Sequence, residues 1–251
     1  MEISPVILEG QHVRLEPLSA AHEEALVAAA SDGELWRSTV TVVPSRATMA
    51  SYIEAALLGQ TMGHELPFVI VRKTSGEAVG PMCQKADGRG GLVEADAGKD
   101  AGGPPAGMRA LPGRALPNAG ASPGKIVGTT RFYDIQPNDR RVAIGYTWLS
   151  LSAQRTAVNT ESKLLLLTHA FEHWRCNRVE LITDVLNQQS RAAILRLGAK
   201  EEGVFRQHMM MPDGRIRDSV CFSIIVKEWP EVKARLATRL GRSPSHEASA
   251  D

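Results

Sequence analysis

The residues best suited to chemistry cluster in one polar turn, Gln154-Arg155-Thr156-Ala157-Val158-Asn159, which runs into Thr160 and Glu161. Before it, Val142 to Leu149 is rich in β-branched and aromatic residues and reads as a strand. After it, Leu164, Leu167, Phe171 and Trp174 recur at helical spacing. A strand handed to a helix through such a turn leaves a row of backbone N–H groups without intrahelical partners. Those donors and the positive end of the helix dipole favour an anion. Arg155 adds a permanent positive charge beside them. The turn alone fits equally an ordinary strand–turn–helix unit in which Asn159 or Thr160 caps the helix.

Other reactive residue types carry less. His169 and His173 stand four apart on one helix, a spacing that zinc ligands use. The His-Glu-x-x-His order is absent, no third ligand suggests itself and both lie off the apolar stripe, so no metal site is expected. Met209-Met210-Met211 reads as packing and turn rather than a soft-metal site. Cys83, Cys176 and Cys221 lie far apart with no CxxC pair, which argues against a disulfide framework or a zinc cluster.

The wording around the turn resembles a known family. IGYTWL followed by QRTAVNTESKLLLL is similar to the pyrophosphate-binding motif of the GNAT acetyltransferases, in their Rim-type (RimJ/RimL-like) branch, usually written Gln/Arg-x-x-Gly-x-Gly/Ala. The resemblance continues through LITDVLNQQSRAAILRLGAKEEGVFRQHMMMPDGRIRDSVCFSI and EWPEVKARL, and reaches back to KIVGTTRFYDI and more faintly to VRLEPL. It covers most of the chain outside one central insertion and the last residues. It implies a mixed α/β fold: a mostly antiparallel sheet with splayed, parallel fourth and fifth strands, flanked by helices. Acetyl-CoA, as co-substrate, would lie in the gap between those two strands.

Carried over residue by residue, the resemblance implies a cofactor-binding set of Leu149, Gln154, Arg155, Thr156, Ala157, Val158, Asn159, Thr160 and Asn187. Backbone N–H groups from Arg155 to Thr160 would hold the pyrophosphate. Asn187 would hydrogen-bond the pantetheine amides, and Ser190 would give a proton to the departing thiolate; Asn and Ser also favour turns and helix caps for their own sake. A neutral amine would attack the thioester directly, and a backbone N–H near Tyr146 to Leu149 would hold the oxyanion, which makes Tyr146 and Ser190 the catalytic candidates. Two departures stand out. Ala157 and Asn159 occupy positions where the family motif favours glycine, and a Cβ there limits close approach and φ > 0 geometry. Ala143 stands where Rim-type enzymes often carry a glutamate usable as a general base. The base is unassigned, with Asp134, Glu180 and His208 as candidates by strand placement, and Ala143→Glu is expected to raise the rate most at lower pH.

The elements that must position these residues follow from periodicity and punctuation. Val13 and Leu15 mark a first strand, and Ser19 opens a helix to Ala30, broken at Asp32-Gly33. A second helix is expected from about Ala47 to Leu58, stopped by Gly59. The resemblance puts this helical pair beside the acceptor site; Trp36 is expected to pack rather than line it. Pro67 to Lys73 is the second strand and KIVGTTRFYDI the third. Residues 81–124, dominated by Gly, Pro and Ala, are expected to be a disordered insertion in a single domain spanning 1–240, with a disordered tail at 241–251. Arg178 to Thr183 is the fifth strand, parallel to the fourth because a helix crosses between them. A short helix from Ser190 to Leu197, a hairpin of Val204 to Met211 with Ile216 to Ile225, and a last helix from about Glu231 to Leu240 complete the order.

With 251 residues, 43% hydrophobic and 23% charged, the chain has the composition of a globular protein that can bury a substantial core. A net charge of +1 gives no reason to expect nucleic acid or an anionic membrane as partner. The start lacks a signal-peptide pattern and no apolar run is long enough to span a bilayer, so the cytoplasm is the default expectation. The leading functional reading is an acetyl-CoA-dependent N-acetyltransferase whose partner is an amine acceptor, a protein N-terminus by preference or a small molecule, with a homodimer left open. The runner-up is a CoA-binding module without turnover.

Overall fold

Alternating apolar residues build one eight-stranded sheet in the computed structural model, which describes residues 1–74 and 124–241. In chain order the elements are β1 (Leu8–Glu9), β2 (Val13–Pro17), α1 (Glu23–Ser31), α2 (Met49–Thr61), β3 (Leu66–Lys73), β4 (Gly124–Gln136), β5 (Arg141–Leu149), α3 (Ala157–Thr168), β6 (Arg178–Asp184), α4 (Gln188–Leu197), β7 (Lys200–Met210), β8 (Ile216–Ile225) and α5 (Trp229–Arg239). The strands lie in the order β1-β2-β3-β4-β5-β6-β8-β7. Every neighbouring pair is antiparallel except β5 and β6, which the α3 crossover makes parallel. This is the mixed, mostly antiparallel sheet that the sequence implied. The short β1 was not foreseen, so the expected fourth and fifth strands are β5 and β6.

Apart from β7, an edge strand exposed along its whole length, the sheet buries both faces. On one, Val13, Phe68, Val142, Ile144, Val179 and Phe222 pack with Leu166 and Leu167 of α3 and Leu236 of α5. On the other, Val69, Val71 and Trp148 pack with Leu26 of α1 and Ile53 of α2, and Trp36 is partly buried against the same cluster. A polar lock joins the first strands to α3. The buried Glu161 carboxylate accepts from the backbone N–H groups of Gln11, His12 and Val13 at 2.8, 2.5 and 2.8 Å. Gly10 makes room for it, since a Cβ there would stand 2.5 Å from the carboxyl carbon.

Two local expectations need correction. Gly59 does not stop α2, which runs on to Thr61. A Cβ at Gly59 would stand 2.8 Å from the Glu65 side chain, and its carbonyl accepts from His64 and Glu65, so the glycine serves close approach rather than termination. The strand expected at Val204 begins earlier, at Lys200. The supposed insertion and tail lie outside the described residues, apart from Gly124 and Gly241 at their edges.

Candidate active site

β5 and β6 part company just before the polar turn. They pair at Arg141–Arg178, Val142–Val179 and Ala143–Glu180 and at no later position, although they run on to Leu149 and Asp184. A wedge therefore opens between them. Its cause lies on β5, where the register against β4 shifts between Thr129–Trp148 and Arg131–Gly145. The extra residue, Tyr146, takes φ 50°, and a bulge of this kind bends the strand that carries it. Thr129 Oγ1 holds the bend by donating to the Tyr146 carbonyl at 3.2 Å. Gly145 permits it, because a Cβ there would stand 2.6 Å from the Tyr133 ring.

The end of β5 faces the wedge. Ser150 N–H donates to the Val127 carbonyl on β4 at 2.7 Å. Successive N–H groups of a strand point to opposite sides, so that of Leu149 faces away from β4. Gln154 Nε2 donates to the Leu149 carbonyl at 3.0 Å while its Oε1 accepts from Gln189 Nε2 at 3.1 Å. The Gln154 side chain thus ties the end of β5 to the start of α4, the element that follows β6.

At the start of α3 the cap is Thr156, not Asn159 or Thr160; its Oγ1 accepts from Val158 N–H at 3.3 Å and donates to the Ala153 carbonyl at 2.7 Å. Thr160, four residues after the cap, is the first whose N–H the helix itself engages, which narrows the expected phosphate-binding row at that end. The amides of Thr156, Ala157 and Asn159 remain as outward donors. The φ > 0 position is Arg155, at 58°, while Ala157 and Asn159 are helical. The anticipated penalty for lacking glycine therefore falls one residue before the helix cap, on an exposed arginine.

At the start of α4 the cap is Asn187, whose Oδ1 accepts from Ser190 N–H at 2.9 Å. Its Nδ2 donates to Thr41 Oγ1 at 2.9 Å. Both ends of the amide are thus engaged within the protein. Ser190 sits in the first turn, partly exposed, and its hydroxyl has no hydrogen-bond partner among the described residues.

Strand alternation puts Tyr133, Ala143, Glu180 and Cys221 on the α1/α2 face beside the wedge. Here Arg131 is sandwiched, 4.9 Å from the Tyr52 ring centroid and 4.0 Å from that of the half-exposed Tyr146, and it pairs with Glu65 at 2.6 Å. Burial raises the Tyr133 and Tyr146 phenols above their ordinary range. The three candidate bases are all engaged. Burial alone would raise the Asp134 carboxyl, but hydrogen bonds from Gln136 and Arg141 outweigh it and hold it down. Glu180, in register with Ala143, accepts from Arg178 Nε at 2.8 Å. His208 Nδ1 lies 2.9 Å from Ser219 Oγ.

Sequence reasoning passed over Lys163. It is buried on α3 with Nζ donating to Thr147 Oγ1 of β5 at 2.7 Å, and burial lowers it to about 7. The signal was present in ESKLLLL, where a lysine three before Leu166 and four before Leu167 stands on the apolar stripe. His169, held down to about 4 by burial, is partly buried beside the exposed His173, their rings stacked at 5.3 Å. Among the described residues no group of three His, Cys, Asp or Glu could hold a metal.

The acetyltransferase (GNAT) domain family matches residues 114–200, the stretch containing β5, the turn, α3, β6 and α4. Over residues 114–200 the chain is similar to the GNAT acetyltransferase domain. The "Putative ribosomal N-acetyltransferase YdaF" of Bacillus subtilis (strain 168) is 31% identical over 106 residues, 42% of this chain and 57% of that protein. The chain thus spans little more than half the length of this curated relative. It supports the Rim-type resemblance. Among solved structures, a "putative acetyltransferase" from T. thermophilus is 29% identical with a TM-score of 0.66, over 96% of this chain and 100% of that one. A GCN5-related N-acetyltransferase from Brucella melitensis is 26% identical with a TM-score of 0.69, over 98% and 89%. The ribosomal L7/L12 α-N-protein acetyltransferase RimL, solved in complex with coenzyme A, shares the fold at 18% identity and a TM-score of 0.58, over 88% and 98%. No helix among the described residues is long and apolar enough to cross a membrane.

Proposed function

We propose that this protein is an acetyl-CoA-dependent N-acetyltransferase acting on α-amino groups of proteins or peptides, in the cytoplasm. The observation that carries the reading is the coincidence of the β5–β6 wedge with the uncapped amides of α3. A pantetheine arm fits an opening between parallel strands, and a pyrophosphate fits amides at a helix start. The coenzyme A complex of RimL and the ribosomal N-acetyltransferase name of the Bacillus relative support the co-substrate and a protein acceptor.

In this reading the amides of Thr156, Ala157 and Asn159 and the charge of Arg155 bind the pyrophosphate. The thioester carbonyl lies by the wedge-facing N–H of Leu149, which stabilises the oxyanion as the amine nitrogen bonds to the carbonyl carbon. Collapse breaks the carbon–sulfur bond; Ser190, whose hydroxyl is uncommitted, passes a proton to the departing thiolate and regains one from the nitrogen, which sheds it as the amide forms. Asn187 orients the arm only if its amide leaves Thr41; its supported role is to fix the start of α4. No free carboxylate stands beside Ala143, so the amine must arrive neutral. An α-amine titrates near ~7.7–8.0 and a lysine ε-amine near ~10.4, which favours N-termini at neutral pH.

Thiol release from acetyl-CoA with a panel of peptides tests this. Release with N-terminal amines, and a pH–rate profile that tracks each acceptor's own titration, is expected. Binding of CoA without release to any amine would instead support a CoA-binding module, and equal use of lysine side chains at neutral pH would overturn the α-amine assignment.

A further inference from the structure

The charges around the wedge are matched with one exception. Glu65 is paired with Arg131 at 2.6 Å, Asp184 with Arg215 at 2.5 Å, and Glu180 with Arg178 at 2.8 Å. Arg217 has neither an ion-pair nor a hydrogen-bond partner among the described residues, and its Nε is buried and unsatisfied. Leaving a buried guanidinium N–H unpaired is costly, and groups so left are candidates for a ligand's partner.

Its place in the fold points the same way. On β8, Val220, Phe222 and Ile224 face the α3 side, so Ser219, Cys221 and, by alternation, Arg217 face the α1/α2 side, where Tyr146 lies. β6 ends at Asp184, opposite Ser219, so no β6 residue stands alongside Arg217 to separate it from the wedge. Its guanidinium is within electrostatic reach first of the Asp184 carboxylate, whose hydrogen-bonding partner is Arg215, and then of the Tyr133 and Tyr146 hydroxyls on β4 and β5.

We propose that Arg217 forms an anion subsite at the acceptor side of the wedge and selects amines that carry a carboxylate close to the reacting nitrogen. The inference rests on the acetyltransferase reading for its site. A planar guanidinium binds a carboxylate through paired N–H groups, and a positive charge there also disfavours a protonated amine, or a lysine, in the same place. The carboxylate belongs either to an acidic side chain following a peptide N-terminus or to the α-carboxylate of a free amino acid.

The test uses the full chain with three peptides differing only at the second residue, Glu, Gln or Lys, and with free glutamate and serine. Wild type should prefer the Glu peptide to the Gln peptide in kcat/KM by about 10-fold or more, chiefly through KM, as expected for a hydrogen-bonded charge pair. Arg217→Ala should collapse that ratio towards one, Arg217→Lys should restore part of it, and Arg217→Glu should shift preference to the Lys peptide. Preference for free amino acids over acidic peptides would assign the subsite to an α-carboxylate. CoA affinity, measured on each variant, reports an intact fold. Calorimetric binding of the same peptides to the CoA-loaded protein separates the two claims. A Glu preference in binding that Arg217→Ala removes upholds the subsite even without turnover, whereas indifference to the acidic residue together with no preference for free amino acids, or no effect of Arg217→Glu on whichever preference is found, overturns it.

Discussion

Arg155 combines two roles that substitution can separate. It supplies charge to the helix start and holds a left-handed φ of 58°, which costs an ordinary L-residue about 1–2 kcal/mol. Arg155→Gly removes the charge and relieves the strain, so stability should stay within about 1 kcal/mol of wild type. Arg155→Glu should weaken CoA binding several-fold more than Arg155→Gly does, read by calorimetry. Ala143→Glu now has a different expectation from the one read off the sequence. Ala143 is 1% exposed and in register with Glu180, so the new carboxylate would be buried beside a like charge. Both effects raise its pKa and oppose ionisation. Urea denaturation should show a loss of about 2 kcal/mol or more, with no gain in rate at low pH. Lys163 should leave its mark on pH dependence. Its folded value of about 7 lies below the ordinary 10.5, so between those pH values the unfolded chain binds more protons than the folded one. Its contribution to stability therefore rises with pH across that window, and below it the penalty for burying the charge is full. Lys163→Met leaves Thr130 and Thr147 hydrogen-bonded to each other at 2.8 Å. The stability difference between variant and wild type should favour the variant at pH 6 and shrink steadily towards pH 10, measured by denaturant midpoints.

The elements around the wedge are held by contacts that a single atom would break. Glu161 satisfies three backbone donors at the entry to β2 from the second turn of α3. Glu161→Ala should strand those donors and cost about 3 kcal/mol or more in urea denaturation, while Glu161→Gln keeps some acceptor capacity and should cost less. Gly128 lies where β4 crosses the end of β5, and a Cβ there would stand 2.0 Å from the Trp148 carbonyl oxygen. Backbone on both sides leaves little room to relax. Gly128→Ala should destabilise by several kcal/mol, and because the displaced segment carries Leu149, CoA affinity should fall in whatever fraction still folds.

For the whole molecule, the joining of β3 to β4 makes one prediction direct. Lys73 and Gly124 face each other as the last pair of an antiparallel ladder, so the ends of the intervening stretch are already adjacent. We propose that residues 1–240 form a single folding unit to which that stretch is dispensable. Replacing residues 75–123 with a turn of about four residues should preserve the fold and shorten the closure from 49 residues. The loop-entropy relation makes that worth roughly 1–2 kcal/mol in favour of the shortened chain. Loss of CoA binding or of cooperative unfolding in the shortened protein would show that the stretch contributes to the domain.

The sequence determined the strand–turn–helix unit, the parallel crossover through α3 and the likeness to the GNAT domain, because these are written in neighbouring residues: alternation over Val142–Leu149, helical spacing over Leu164–Trp174 and the motif between them. It also located the turn whose amides open α3. It could not say which residue there would cap the helix or take the left-handed φ, since Thr156 and Arg155 were assigned those roles by how β5 ends and α3 packs. The longer-range assignments were still less legible. Glu161 meets Gln11 across 150 positions, Asn187 meets Thr41 across 146, and Arg131 meets Glu65 across 66. Whether a charged side chain is spent on a partner or left over for a ligand depends on such distant pairings. That is why Glu180 could be named from its strand, while the unpaired state of Arg217 and the burial of Lys163 emerge only when the sheet is assembled.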